Sequence, residues 1–255
     1  MELTRHIDRV RRGLARVVRP RILGERSSVG MLSIAFDDFA QTSWTEGGRV
    51  LRDHDVRATY YVCGALYGTV FAGQRMYGPG DLEAIHAAGH EIGCHTFDHE
   101  SCLRRDGHDF ERSIERNESF VRERVGDVPL VSFAYPYGDA TIGAKRLAVR
   151  RFGCARGVIA GLNRRRLDLG QLKAVGLEES KTRIEAVEPY LDRAASSGAW
   201  LIVFTHDVQD RPSAYGCRPR DLDRLIRSAR SARLEVLSVR EALAARAGAP
   251  GGISA

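Results

Sequence analysis

The 255-residue chain is 43% hydrophobic and carries a formal charge of +6, which suits one barrel-sized domain or two small ones with a substantial core. No run approaches the roughly 20 apolar residues that span a bilayer. The N-terminus, charged from Glu2 and Arg5 onward, lacks the apolar stretch of a secretory signal, so the expected location is the cytoplasm.

The basic residues are almost all arginine, with lysine only at Lys145, Lys173 and Lys181. They are scattered rather than interleaved with aromatic residues, which argues against a nucleic-acid partner. The five cysteines, Cys63, Cys94, Cys102, Cys154 and Cys217, include no Cys-x-x-Cys pair and read as free thiols.

Residues 1–27 form a basic segment. Leu3, Ile7, Val10, Leu14 and Val17 fall at helical spacing among arginines, and Pro20 marks a stop. Such a helix either packs on the main domain or rests on an anionic membrane surface through residues 1–20. Gly24 to Gly30 reads as a linker. From Met31 the chain alternates apolar runs with helical stretches. Strands are expected at Met31 to Phe36, Ala58 to Val62, Glu91 to Cys94, Val131 to Tyr135, Cys154 to Val158 and Ala174 to Leu177. Helices are expected at Thr45 to His54, Asp81 to Ala88, Asp109 to Val125, Ile142 to Arg151 and Ile184 to Ser197. Trp200 to Thr205 is apolar throughout, as in a parallel strand buried on both faces. A helix begins at Pro219 and runs to Ser231, Leu234 to Val239 is a last strand, and residues 247–255 read as a flexible tail.

About seven β-α alternations without a break argue for one α/β domain, as a closed parallel barrel or an open doubly wound sheet. There is no Gly-x-Gly-x-x-Gly after the first strand and no P-loop, which counts against a nucleotide-binding open sheet.

Four polar clusters sit where apolar strands end: Asp37-Asp38, His95 with His99, Tyr135-Pro136-Tyr137-Gly138-Asp139, and His206-Asp207. In parallel α/β folds these ends gather on one face, so the clusters point to a shared pocket. Two imidazoles and a carboxylate are a familiar ligand set for a catalytic divalent ion, zinc foremost. The zincin signature is absent, because Thr96 stands at the glutamate position. Adjacent residues of a strand face opposite ways, so both aspartates reach one pocket only if the backbone turns there. One can then bind metal while the other serves as a base. His206 is a candidate general acid, and Tyr137-Gly138 can offer a backbone N–H to an oxyanion.

These residues resemble the motifs of the NodB-type polysaccharide deacetylases, carbohydrate esterase family 4, from about Met31 to Val239. Ala35-Phe36-Asp37-Asp38 is similar to the family's Thr-Phe-Asp-Asp. His95-Thr96-Phe97-Asp98-His99 is similar to His-Ser/Thr-x-x-His. Phe133 to Gly138 resembles Arg-x-Pro-Tyr-Gly, and Leu201 to His206 resembles the late strand that ends in the catalytic histidine. The resemblance implies a distorted (β/α)7 barrel over residues 28–246 and metal-dependent N-deacetylation of an N-acetylated carbohydrate. It implies Asp38, His95 and His99 as ligands, Asp37 as general base, Tyr137 as oxyanion donor and His206 as general acid. Related barrels deformylate lipid-linked amino sugars or open cyclic ureides and imides, and an idle carbohydrate-binding barrel is a further alternative.

Two motif positions differ from the family. Its motif-three arginine falls at Ala134, with Arg156 on the next strand as the candidate substitute. Its Asp-x-x-Asp-Trp motif has no counterpart, the nearest acids being Asp168, Glu178 and Glu179.

Overall fold

The run Met31–Asp37 forms β1, and each of its residues is buried, as a strand covered on both faces requires. Its side chains alternate between two cores. Leu32, Ile34 and Phe36 join an outer apolar layer with Leu201, Val203 and Ile226. Met31 and Ala35 face inward and join Trp200, Ile202 and Phe204. In the computed structural model, which describes residues 2–24 and 28–248, β1 lies inside an eight-stranded sheet whose pairings are all parallel.

The other strands are β2 (Thr59–Val62), β3 (Glu91–Cys94), β4 (Ser132–Ala134), β5 (Cys154–Arg156), β6 (Val175–Gly176), β7 (Trp200–Thr205) and β8 (Glu235–Val236). Their spatial order is β6-β7-β1-β2-β3-β4-β5, with β8 beside Met31 and Leu32 of β1. The outer strands β5 and β6 are joined through the segment leading into β6. Leu172 N–H donates to the Ala155 carbonyl at 2.8 Å, and Gly157 N–H donates to the Leu172 carbonyl at 3.0 Å. The sheet therefore curls into a distorted parallel barrel.

Helices surround it: α1 (Glu2–Val17), α2 (Gly48–Asp53), α3 (Asp81–Ala87), α4 (Gly107–Val125), α5 (Ile142–Arg151), α6 (Ile184–Ser197), α7 (Pro219–Ser231) and α8 (Val239–Ala247). β3, β7, α5, α6 and α7 begin and end where the sequence pattern places them. Among the described residues no helix is long and apolar enough to cross a membrane.

Three local expectations are corrected. The last predicted strand shortens to β8, because Ser238 and Glu241 form a capping box that starts α8 at Val239. The α8 N-terminus closes the bottom of the barrel. There the buried Glu91 carboxylate accepts from the Arg240 N–H at 2.7 Å, from Ser132 Oγ at 2.7 Å and from Thr59 Oγ1 at 2.8 Å. The predicted helix Thr45 to His54 divides into a π-helical turn, Ser43–Gly47, and α2. The expected linker contains Gly24 of a short strand, Ile22–Gly24, paired antiparallel with Arg166–Asp168. A small hairpin, Val70–Phe71 with Gln74–Arg75, occupies the loop before α3. Residues 25–27 of the linker and 249–255 of the expected tail lie outside the described residues.

Helix α1 packs on the barrel, but not by its apolar stripe. Ile7, Val10, Leu14 and Val17 are all exposed, whereas Asp8 and Ala15 are buried. The docking is polar. Arg104 pairs with Asp8 at 2.8 Å, and Arg12 with Asp139 at 2.7 Å. The fully buried Lys145 ammonium of α5 donates to the carbonyls of Ala15 and Val18 at 2.7 and 2.6 Å and pairs with Asp168 at 2.6 Å. A cation on the last carbonyls of a helix satisfies acceptors that have no partner within it. Lys145→Met keeps the volume but leaves the partly buried Asp168 carboxylate and two carbonyls without their cation. Urea unfolding should show a loss of about 3 kcal/mol, and an unchanged midpoint would show that the clamp contributes nothing.

Candidate active site

Strand parity puts the site together. Met31, Ala35 and Asp37 lie on the inward-facing positions of β1, and Glu91, Gly93 and His95 continue the inward positions of β3. Phe204 and then His206 do the same for β7. Gly93 is required by a close approach, since a Cβ there would lie 2.6 Å from the Tyr61 ring.

Parity alone would send Asp38 to the outer layer. Its backbone instead adopts φ 55°, and Phe39 N–H donates to the Asp37 carbonyl at 2.5 Å across it. The result is a tight γ-type turn that a non-glycine residue rarely adopts. Both neighbouring carboxylates thereby line one cavity. Thr96 (φ 63°), His99 (φ 50°) and Tyr137 (φ 59°) are left-handed as well. Such conformations cluster at functional sites.

The three expected ligands converge. His95 Nε2 lies 3.4 Å from Asp38 Oδ1, and His99 Nε2 lies 3.1 Å from Asp38 Oδ2. One ligand atom from each residue falls within 4.8 Å of the others. His95 Nδ1 lies 2.7 Å from the Ala134 carbonyl. That contact fits a proton on Nδ1 and leaves the Nε2 lone pair facing Asp38, the usual arrangement of a ligating histidine. Burial holds the His95 imidazole below its ordinary pKa despite the nearby Asp38 and Asp37 carboxylates, which keeps it a neutral donor. Burial opposes ionisation of Asp38 too, but His95 and His99 outweigh it and bring that carboxyl down to about 2. Asp38 Oδ1 is buried and accepts no hydrogen bond, an orphaned oxygen that a cation would satisfy. Donor set and geometry both fit a divalent ion.

Asp37 is held by Arg156, whose Nη2 donates to Asp37 Oδ1. The guanidinium is almost wholly buried and lies 4.7 Å and 4.9 Å from the centroids of Tyr61 and Phe204. Arg156 and Ala134 are registered partners across the β4–β5 ladder. The arginine thus comes from the adjacent strand at the same level as the motif position that alanine occupies. At that position Ala134 contributes only its carbonyl, to His95.

His206 Nδ1 faces the Tyr215 carbonyl at 3.3 Å, leaving Nε2 toward the cavity. Of the three acids considered near it, Asp168 is engaged by Lys145, and Glu179 by Arg218 and Arg183. Glu178 lines the same cavity as His206. Burial raises its carboxyl pKa, which Lys181 and His206 partly offset. Asp207 is a loop brace that accepts from Ser213 N–H at 2.9 Å and Gln209 Nε2 at 3.0 Å. In the Tyr137 turn, the N–H groups of Gly138 and Asp139 close onto the carbonyls of Tyr135 and Pro136, and the Tyr137 N–H takes no part in that closure. The Tyr137 ring stands 4.7 Å from that of His99.

The cavity measures about 880 Å³, far more than one acetyl group needs. Phe71 and Tyr215, both half-exposed, stand with Tyr137 on its lining. Sequence reasoning did not single out Phe71 or Tyr215, since both lie on loops without periodicity.

A family model described as polysaccharide deacetylase matches residues 24–154. A chitin deacetylase of Colletotrichum lindemuthianum is 26% identical over 186 residues, covering 71% of this chain and 68% of the relative. Among solved structures, a family 4 acetyl xylan esterase from Clostridium thermocellum, in complex with a cobalt ion, is similar at TM-score 0.58 and 20% identity, over 86% of this chain and 93% of that one. A family 4 pseudoenzyme from Bacillus anthracis is similar at TM-score 0.60 and 14% identity, over 85% of this chain and 66% of that one. These structures share the fold.

If the cluster binds metal, His99→Ala and Asp38→Asn should each weaken zinc binding in a chelator-competition titration by more than the roughly 10- to 100-fold of an outer-shell change. Arg156→Gln should leave zinc affinity nearly intact. Equal losses in all three variants would count against the assigned ligand set.

Proposed function

The chain belongs to the polysaccharide deacetylase family, and on that premise we propose that it is a metal-dependent N-deacetylase. Its substrate in this reading is an N-acetylated sugar within an oligosaccharide, glycolipid or surface-polysaccharide precursor. One observation carries the reading: an Asp-His-His cluster and a second, arginine-held carboxylate share one cavity with a histidine.

Asp38, His95 and His99 would hold the ion, and zinc suits this nitrogen and oxygen set. When bound, it would polarise the acetyl carbonyl and lower the pKa of a water molecule. Asp37 would accept the proton of the attacking water as the water oxygen bonds to the acetyl carbon. Arg156 keeps the Asp37 carboxylate aimed. The Tyr137 N–H donates to the carbonyl oxygen as negative charge builds on it. His206, oriented through Nδ1, gives the Nε2 proton to the sugar nitrogen as the C–N bond breaks. The products are acetate and a free amino sugar.

The arginine missing at Ala134 is the feature that favours an idle barrel, and the Arg156 contact with Asp37 supports the hydrolase reading instead. A deformylase of a lipid-linked amino sugar would use the same residues, and the exposed stripe of α1 favours a substrate at a lipid surface. A reducing compartment such as the cytoplasm is part of the proposal, because all five cysteines are buried and free.

Purified protein loaded with zinc should release acetate from N-acetylglucosamine oligomers and lose that activity to a chelator. Asp37→Asn should cut the rate by about 10²- to 10⁴-fold with zinc content unchanged, and Arg156→Gln by roughly 10- to 100-fold. Formate release from N-formyl sugars in place of acetate would support the deformylase. Stoichiometric zinc with neither product would overturn the hydrolase reading.

A further inference from the structure

Helix α1 presents three faces. One docks, through Asp8 and Ala15. A second carries Ile7, Val10, Leu14 and Val17, which are 47%, 47%, 51% and 77% exposed. The third carries Arg5, Arg9, Arg12 and Arg16, all exposed, and exposed Arg19 and Arg21 extend the charge just beyond the helix. Apolar residues at i, i+3, i+7 and i+10 opposite an arginine face are the pattern of a helix that lies in a membrane interface.

The position of α1 gives the pattern a consequence. Arg11 donates to the Leu103 carbonyl at 3.3 Å, and Arg104 pairs with Asp8 at 2.8 Å. Both contacts fall on the loop that follows His99. Arg12 pairs with Asp139, two residues after Tyr137. Asp139 in turn accepts from Ser101 Oγ at 2.6 Å, which ties the two loops together. The helix therefore braces the segments that carry one expected ligand and the oxyanion donor.

We propose that α1 docks the protein on an anionic lipid bilayer, with its apolar stripe among the acyl chains and its arginines toward the headgroups. A sugar carried on a lipid would then be presented to the protein at the membrane surface. Charge complementarity selects this occupant. Besides Arg11 and Arg12, which the docking contacts use, α1 bears Arg5, Arg9 and Arg16 against Glu2 and Asp8, and Asp8 is already paired. The lipid docking stands without the deacetylase reading, whereas the lipid-carried substrate rests on it.

Co-sedimentation of the full chain with vesicles of phosphatidylcholine alone, or with phosphatidylglycerol added, tests the docking. Binding is expected only to the anionic vesicles and should weaken with salt. The double variant Ile7→Asp, Leu14→Asp changes exposed positions, so circular dichroism should be unaltered while binding falls by about tenfold or more. Arg5→Glu with Arg9→Glu should reduce binding as well. No binding to anionic vesicles, or binding indifferent to Ile7→Asp and Leu14→Asp, would overturn the proposal. So would a wild-type dimer in light scattering that the double variant abolishes, because the stripe would then be covered by a second copy. Acetate release from water-soluble oligomers should be unchanged in these variants, so failure to bind lipid and failure of hydrolysis are read separately.

Discussion

The arrangement depends on one backbone reversal, the left-handed Asp38 at the end of β1. A regular strand would place Asp37 inside the barrel and Asp38 among the helices. The turn brings both carboxylates to one cavity with different neighbours. Asp38 meets two imidazoles, and Asp37 meets a buried guanidinium. A non-glycine residue in that conformation costs on the order of 1–3 kcal/mol. It persists because β1 is hydrogen-bonded on both sides and because Phe39 is fully buried beyond the turn, stacked on Tyr77.

The Asp37–Arg156 pair shows what such a site asks of the barrel. Two charges out of water are worth little to stability as a pair, but losing one partner is costly. Here the geometry comes from sheet register: β5 lies beside β4, so Arg156 sits level with Ala134. The aromatic faces of Tyr61 and Phe204 close over the guanidinium and keep water from it. The Asp37 carboxylate is thereby positioned by the fold itself, and substitution at a neighbouring strand position can move the arginine without moving its charge.

Most strands and helices were legible in the sequence, because unbroken apolar runs and 3.6-residue spacing record burial directly. The Asp-His-His cluster was legible for a related reason: Asp38, His95 and His99 each follow a readable strand. Arg156 was anticipated as the substitute for the arginine missing at Ala134, and it meets Asp37 because β4 and β5 are neighbours. Two features were not legible. The periodicity of α1 announces an apolar stripe but cannot say which face docks, and here polar and ionic contacts outcompeted it. Helix α8 was hidden by reading Leu234 to Val239 as one apolar strand, although Ser238-x-x-Glu241 marks its start.

The central claim is that Asp38, His95 and His99 hold one ion beside an Asp37 that does not bind it. Anomalous diffraction at the zinc edge, from crystals grown with zinc, tests it most directly. The account predicts one strong peak about 2.0–2.2 Å from a carboxylate oxygen of Asp38 and Nε2 of both histidines, with Asp37 still paired to Arg156. A peak ligated by Asp37, or none at the cluster, would contradict it.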